Sequence, residues 1–113
     1  MRWMLRSKIH NARVTEARRD YVGSITLDMD LVEKAGLKEG EKVQVVDNTN
    51  GARLETYVIA GEKDSGKVCM NGAAAHRIKE GHEIIVMGYE LTDEDLEATK
   101  VLVDDNNRFE PYL

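Results

Sequence analysis

Val43-Gln44-Val45-Val46-Asp47-Asn48-Thr49-Asn50-Gly51-Ala52-Arg53-Leu54-Glu55-Thr56-Tyr57-Val58-Ile59 carries the clearest structural signal in the chain. Its two ends are rich in β-branched and aromatic residues, which pack well on a pleated surface. Asn50-Gly51 between two strand-like runs marks a hairpin, because both residues tolerate positive φ. The pattern continues outward on both sides. Residues 2–9 and 11–16 read as extended, and residues 21–27 as a further strand interrupted at Gly23. Val68-Cys69-Met70, residues 83–89 and Lys100-Val101-Leu102-Val103 are further strand-like pieces. Residues 28–36 read as a short helix, with Asp30 and Glu33 at capping-box spacing and Gly36 at its stop. Residues 38–41 form a turn, residues 72–77 one helical turn, and residues 92–98 a short helix that Thr92 caps. Many short strands joined by tight turns indicate a small, mostly-β barrel.

A chain of 113 residues with no repeat, low-complexity stretch or Pro-rich linker is expected to form one domain. Aromatics are scarce, so the core must rest on Val, Ile, Leu and Met. The lone Cys69 cannot form an internal disulfide, which fits a reducing cytosol. The opening residues lack the pattern of a secretory leader, and no apolar run reaches membrane-spanning length. A soluble cytoplasmic protein is expected, without a membrane partner. The net charge of −5 is unevenly spread: residues 1–23 hold six Lys/Arg against two acidic residues, the remainder ten against nineteen. An acidic chain repels phosphate, and no stacking aromatics accompany the basic arm, so no nucleic-acid partner is expected. A cationic pocket for a small dicarboxylate suits the same residues better. No His, Cys or carboxylate set has convincing ligand spacing, so no metal is expected.

Chemistry concentrates at Gly23-Ser24. The Ser24 hydroxyl follows the one residue with no side chain to shield its carbonyl. Attack of Ser24 Oγ on the Gly23 carbonyl carbon would turn the amide into an ester and free the Ser24 nitrogen. Loss of the Ser24 α-proton and departure of the Gly23 carboxylate would leave a dehydroalanine, whose hydrolysis releases ammonia and gives a pyruvoyl group at a new amino terminus. A Gly-Ser pair is common by itself. Its company gives it weight: Met4-Leu5-Arg6-Ser7-Lys8-Ile9-His10, Val14-Thr15-Glu16-Ala17, Tyr21-Val22-Gly23-Ser24-Ile25-Thr26, the run from Asn50 to Ile59, and Asn71-Gly72-Ala73-Ala74-Ala75-His76.

In order and spacing these motifs resemble the pyruvoyl-dependent aspartate 1-decarboxylases, which make β-alanine for pantothenate synthesis. The resemblance runs from about residue 4 to residue 90, and Asp104-Asp105-Asn106-Asn107-Arg108 fits it as well. It implies a six-stranded double-psi β-barrel with short helices, assembled as a homotetramer with active sites between subunits. It also implies a precursor that cuts itself into residues 1–23 and 24–113, the larger piece bearing the pyruvoyl. Decarboxylating an amino acid leaves electrons on Cα that no side chain absorbs well; a carbonyl cofactor condensed with the amine does. A chain this short has little room for a pyridoxal phosphate domain, so a built-in carbonyl is the economical answer.

The resemblance assigns Ser24 as the source of the cofactor and Gly23 as the other half of the cut bond. Lys8 and Arg53 are implied to hold substrate carboxylates, Arg53 with a planar fork and Lys8 with a point charge; which cation takes which carboxylate stays open. Tyr57 is implied as the proton donor to the carbanion, a phenol that yields its proton only to a strong base. Thr56 is implied to polarise the Gly23 carbonyl and to lie at the substrate site, yet strict alternation would turn Thr56 and Tyr57 to opposite faces. Asn71, Gly72, Ala73 and Ala74 are implied to line the substrate site, where small side chains and free N–H groups admit a carboxylate. His10 and Tyr21 match positions near the cut and would relay protons during processing. Cys69 is read as core, because no base stands beside it in sequence.

Arg18-Arg19-Asp20, His76-Arg77 and the acidic run at residues 92–97 depart from the family pattern. They leave the rate of self-cleavage, and any need for a maturation partner, open. Two other readings remain: a small β-barrel binding module that is never cut, and a decarboxylase for another acid such as glutamate.

Overall fold

A computed structural model describes residues 1–110. Eight strands form one sheet: β1 (Arg2–Arg13), β2 (Glu16–Arg18), β3 (Ser24–Asp28), β4 (Lys42–Asp47), β5 (Arg53–Gly61), β6 (Val68–Asn71), β7 (Glu83–Thr92) and β8 (Thr99–Leu102). Their order is β2-β6-β3-β5-β4-β7-β1-β8. Three pairings are parallel, β1 with β8, β2 with β6 and β3 with β5. Parallel neighbours cannot be joined by tight hairpins, so the chain crosses between them. The result is the small mostly-β barrel that the sequence predicts. The six strands implied by the resemblance become eight with the short ladders β2 and β8; β8 matches the strand-like piece read at residues 100–103, whereas the three-residue β2 is too brief to stand out as a run of its own.

The core is aliphatic, as the composition requires. Its largest fully buried side chains include Ile9, Ile25, Leu27, Leu31, Met70, Ile78 and Ile84. Helix α1 (Met29–Ala35) packs on the barrel through Leu31, Val32 and Ala35. Each large aliphatic side chain taken fully out of water contributes about 2 kcal/mol.

The β4–β5 hairpin forms as read. Gly51 has φ +81°, and its N–H donates to Asp47 O at 2.8 Å. The buried Asp47 carboxylate accepts from the Thr49 and Asn50 N–H groups and, through Oδ2, contacts His82 Nδ1 at 2.5 Å. Three local expectations change. The α1 N-cap is Asp28, whose Oδ1 accepts from Asp30 N at 2.9 Å, whereas Asp30 lies inside the first turn and pairs with Lys34. Asp28 wins the position because it is buried and also accepts from Asp64 N and Gly66 N, tying the β5–β6 loop to the helix start. Residues 92–98 form no helix. Thr92 does accept from Glu94 N, but Asp93, Glu94, Asp95 and Glu97 repel one another over one short turn with no buried face to offset it. The pieces expected at 2–9 and 11–16 run instead as one strand to Arg13, irregular near Asn11, whose φ is +66°. Asn107 then clasps the end of that strand, exchanging hydrogen bonds with Arg13 N and O and donating to Gly66 O.

One feature of the sheet positions the site. Strand β5 pairs with β3 only from Val58 onward, while residues 53–57 keep β4 on one side alone. The β5 edge at Leu54–Tyr57 is therefore open toward the segment that enters β3.

Candidate active site

Ser24 begins β3 and lies opposite Asn71, the last residue of β6. This register brings together two residues 47 apart in the chain. Ser24 is fully buried. Its Oγ accepts from Asn71 Nδ2 at 2.9 Å, and its hydroxyl donates to Val22 O at 3.3 Å. Asn71 Nδ2 also donates to Thr26 Oγ1 at 3.0 Å, and Asn71 Oδ1 accepts from the Cys69 thiol at 3.1 Å. Every polar atom of the Asn71 side chain is engaged, which suits a residue that is only 3% exposed.

Cys69 sits in the core as read, but not among apolar neighbours alone. Its thiol also lies 3.7 Å from Glu16 Oε2. Burial, and secondarily the Glu16 charge and hydrogen bond, raise the thiol pKa above its ordinary value. The group stays protonated at neutral pH and remains a donor.

Gly72 follows Asn71 with φ +71°. A Cβ there would stand 2.7 Å from Gly23 Cα, 2.8 Å from Gly23 N and 3.0 Å from Tyr21 O. Only glycine permits this contact, and through it the entry to β3 rests directly on the turn after β6. Gly23 itself faces open space: a Cβ there would meet nothing within 4 Å. Upstream, the Arg18 guanidinium lies 4.0 Å from the centre of the Tyr21 ring, and Tyr21 N donates to Arg18 O at 3.4 Å. Arg18, read as atypical, steadies the segment before the scissile bond through this cation–π contact.

Gly23 and Asn71, on either side of buried Ser24, border a cleft of about 450 Å³ that is also lined by Leu54, Thr56, Tyr57 and Ala73, among others. Thr56 and Tyr57 both reach it despite pointing to opposite faces of β5. The open strand edge explains this, since side chains from both faces flank an edge with no neighbouring strand. Ala74, His76 and Arg77 line the cleft as well. The helical turn expected over residues 72–77 forms as a 3-10 turn at Gly72–His76 and brings His76 and Arg77, noted in the sequence as departures from the family pattern, to the cleft.

Lys8, His10 and Arg53 are not gathered there. Lys8 and His10 are on β1, which pairs with β7 and β8, several strands from β3. Two residues apart, they share one face of the strand. Arg53 opens β5 and is exposed. Lys8 and Arg53 have no ion-pair partner among the described residues. His10 Nδ1 is buried without a hydrogen-bond partner among them. No group of three or more His, Cys, Asp or Glu is placed to hold a metal ion among the described residues, and no helix there is long and apolar enough to cross a membrane.

The family model described as aspartate decarboxylase matches residues 1–110. A protein of Corynebacterium efficiens named aspartate 1-decarboxylase is 57% identical over 112 residues, covering 96% of this chain and 82% of its own length. Proteins of the same name from Clostridium botulinum and Acetivibrio thermocellus are 54% and 53% identical, covering 95% and 93% of this chain and 87% and 86% of their own lengths. Sequence motifs, fold and relatives agree, and the chain belongs to the aspartate decarboxylase family.

Proposed function

We propose that this chain converts L-aspartate to β-alanine and carbon dioxide, the step that supplies β-alanine for pantothenate, after cutting itself between Gly23 and Ser24. The observation that carries the proposal is the setting of Ser24. Its buried hydroxyl, held by Asn71 and Val22 O, follows an unshielded glycine at the border of a cleft that also holds Thr56 and Tyr57. That setting fits an origin of the pyruvoyl group in Ser24, with residues 1–23 and 24–113 as the two products. When present, the pyruvoyl supplies a carbonyl that takes the substrate amine and draws off the electron pair left by carbon dioxide.

The other roles belong to the chain's own side chains. Thr56 polarises the Gly23 carbonyl during the cut. Tyr57 holds a proton at its phenol oxygen for delivery to the substrate carbon. Ala73 and Ala74 wall the cleft with little bulk, leaving room for a carboxylate, Gly72 behind them lets the Gly23 segment approach, and Asn71 donates toward the reacting centre. Lys8 and Arg53 bind the carboxylates, His10 relays protons on the Lys8 face, and Tyr21 does so beside the cut. The resemblance implies a homotetramer with active sites between subunits, and the placement of Lys8 and His10 several strands from the cleft fits their being supplied by a neighbouring subunit. The same reading places the enzyme in the cytoplasm.

Denatured mass tests the proposal. After warming, two pieces cut after Gly23 are expected, the larger lighter by one ammonia than its serine form, and the product should release carbon dioxide from aspartate faster than from glutamate. An intact chain that binds a macromolecule would instead make it a binding module. Mixing Ser24→Ala and Lys8→Ala chains tests the shared site: activity should appear in the mixture and in neither parent.

A further inference from the structure

We infer that Cys69 is a positioning residue for self-cleavage, acting through the orientation of the Asn71 carboxamide; the inference rests on the self-cleavage reading above. A carboxamide is nearly symmetric in shape, and only its partners decide which end carries the oxygen. Around Asn71, Ser24 Oγ and Thr26 Oγ1 are hydroxyls, able to donate or accept. They would tolerate either end. The thiol of Cys69 breaks the tie. Protonated, it can serve Asn71 only as a donor of any strength, at 3.1 Å from Oδ1. That directs Nδ2 to Ser24.

The consequence falls on the nucleophile. With Nδ2 donating to Ser24 Oγ, the Ser24 proton is turned to Val22 O, and the oxygen is held from both sides at the start of β3, in the residue after Gly23. With the amide reversed, Oδ1 would face Ser24 and draw its hydroxyl proton away from Val22 O, and Oγ would lose the donor that holds it. Glu16 is the competing acceptor for the thiol at 3.7 Å, but it is shared with Arg18 at 3.8 Å and Lys67 at 3.9 Å. The raised thiol pKa keeps the donor present through neutral pH.

Two variants of the full chain separate orientation from packing. Cys69→Val keeps the volume and removes the donor; Cys69→Ser keeps the donor and loses volume. Freshly synthesised precursor is warmed, and the two pieces are followed by denatured mass. Cys69→Ser is expected within about twofold of the native cleavage rate, and Cys69→Val about fivefold slower, the worth of one ordinary hydrogen bond. A packing role predicts the reverse order in both cleavage and thermal midpoint, because position 69 is buried. Cleavage by Cys69→Val at least as fast as by Cys69→Ser overturns the inference. Should the native chain stay whole, the self-cleavage reading falls, and exchange of the Asn71 side-chain amide protons by NMR decides the orientation. Slow exchange in native and Cys69→Ser, with faster exchange in Cys69→Val, supports it; equal exchange in all three overturns it.

Discussion

Replacing Gly72 by alanine loads two separate costs onto one position. The residue has φ +71°, where a Cβ costs about 1–2 kcal/mol. The new methyl would also lie 2.7 Å from Gly23 Cα, against an ordinary carbon–carbon contact of about 3.5–4.0 Å. Relieving that overlap moves the Gly23 segment by about 1 Å and costs a further 1–3 kcal/mol, roughly. Gly81 separates the two effects, having φ +88° with nothing within 4 Å of its Cβ position. Gly81→Ala should therefore lose about 1–2 kcal/mol and Gly72→Ala about 2–5 kcal/mol. At roughly 4 °C per kcal/mol, Gly72→Ala melts about 8–20 °C lower. The assay is thermal unfolding with Ser24→Ala added to each, so that a cut chain does not confuse the comparison. With Ser24 restored, displacement of the scissile segment should slow cleavage about 100-fold in Gly72→Ala, a typical cost of misplacing a reacting group by 1 Å. If Gly72→Ala melts with Gly81→Ala and cuts at the native rate, the contact with Gly23 does not position the bond.

Gly23→Ala should fold within about 1 kcal/mol of the native chain, because its Cβ meets open space, yet cleave more slowly as the methyl shields the carbonyl; mass and melting curves check both. Tyr57→Phe should mature normally and lose about 100-fold or more in carbon dioxide release, read by a coupled β-alanine assay. Asp28→Ala should lose about 3 kcal/mol in urea unfolding, because it strands the N–H groups of Asp30, Asp64 and Gly66. The raised Cys69 pKa has a definite sign: the folded state holds the thiol proton longer than the unfolded state. Its contribution is complete below the ordinary thiol range and is lost as pH rises through the raised value, so native stability should fall relative to Cys69→Ser only in alkali.

Local chemistry along the chain already determined much of this protein. The β4–β5 hairpin was legible because Asn50-Gly51 carries a turn signal in two adjacent residues, Gly51 supplying the positive φ. Gly36 ends α1 for the same reason, and the pairing of an unshielded glycine with a serine hydroxyl is a property of two adjacent residues. Tertiary structure decided what depends on neighbours far away in sequence. Asp28 displaced Asp30 as helix cap because the β5–β6 loop needed its buried carboxylate. Thr56 and Tyr57 share one cleft because β3 leaves the β5 edge open below Val58, which alternation along a single strand cannot express. The acidic run after β7 had helical spacing but no face to bury. Cys69, set aside in sequence for want of an adjacent base, meets Glu16 only because β6 runs beside β2, and Asn71, two residues along the same strand, meets Ser24 only because β6 also runs beside β3. Strand order, not spacing, chooses such partners.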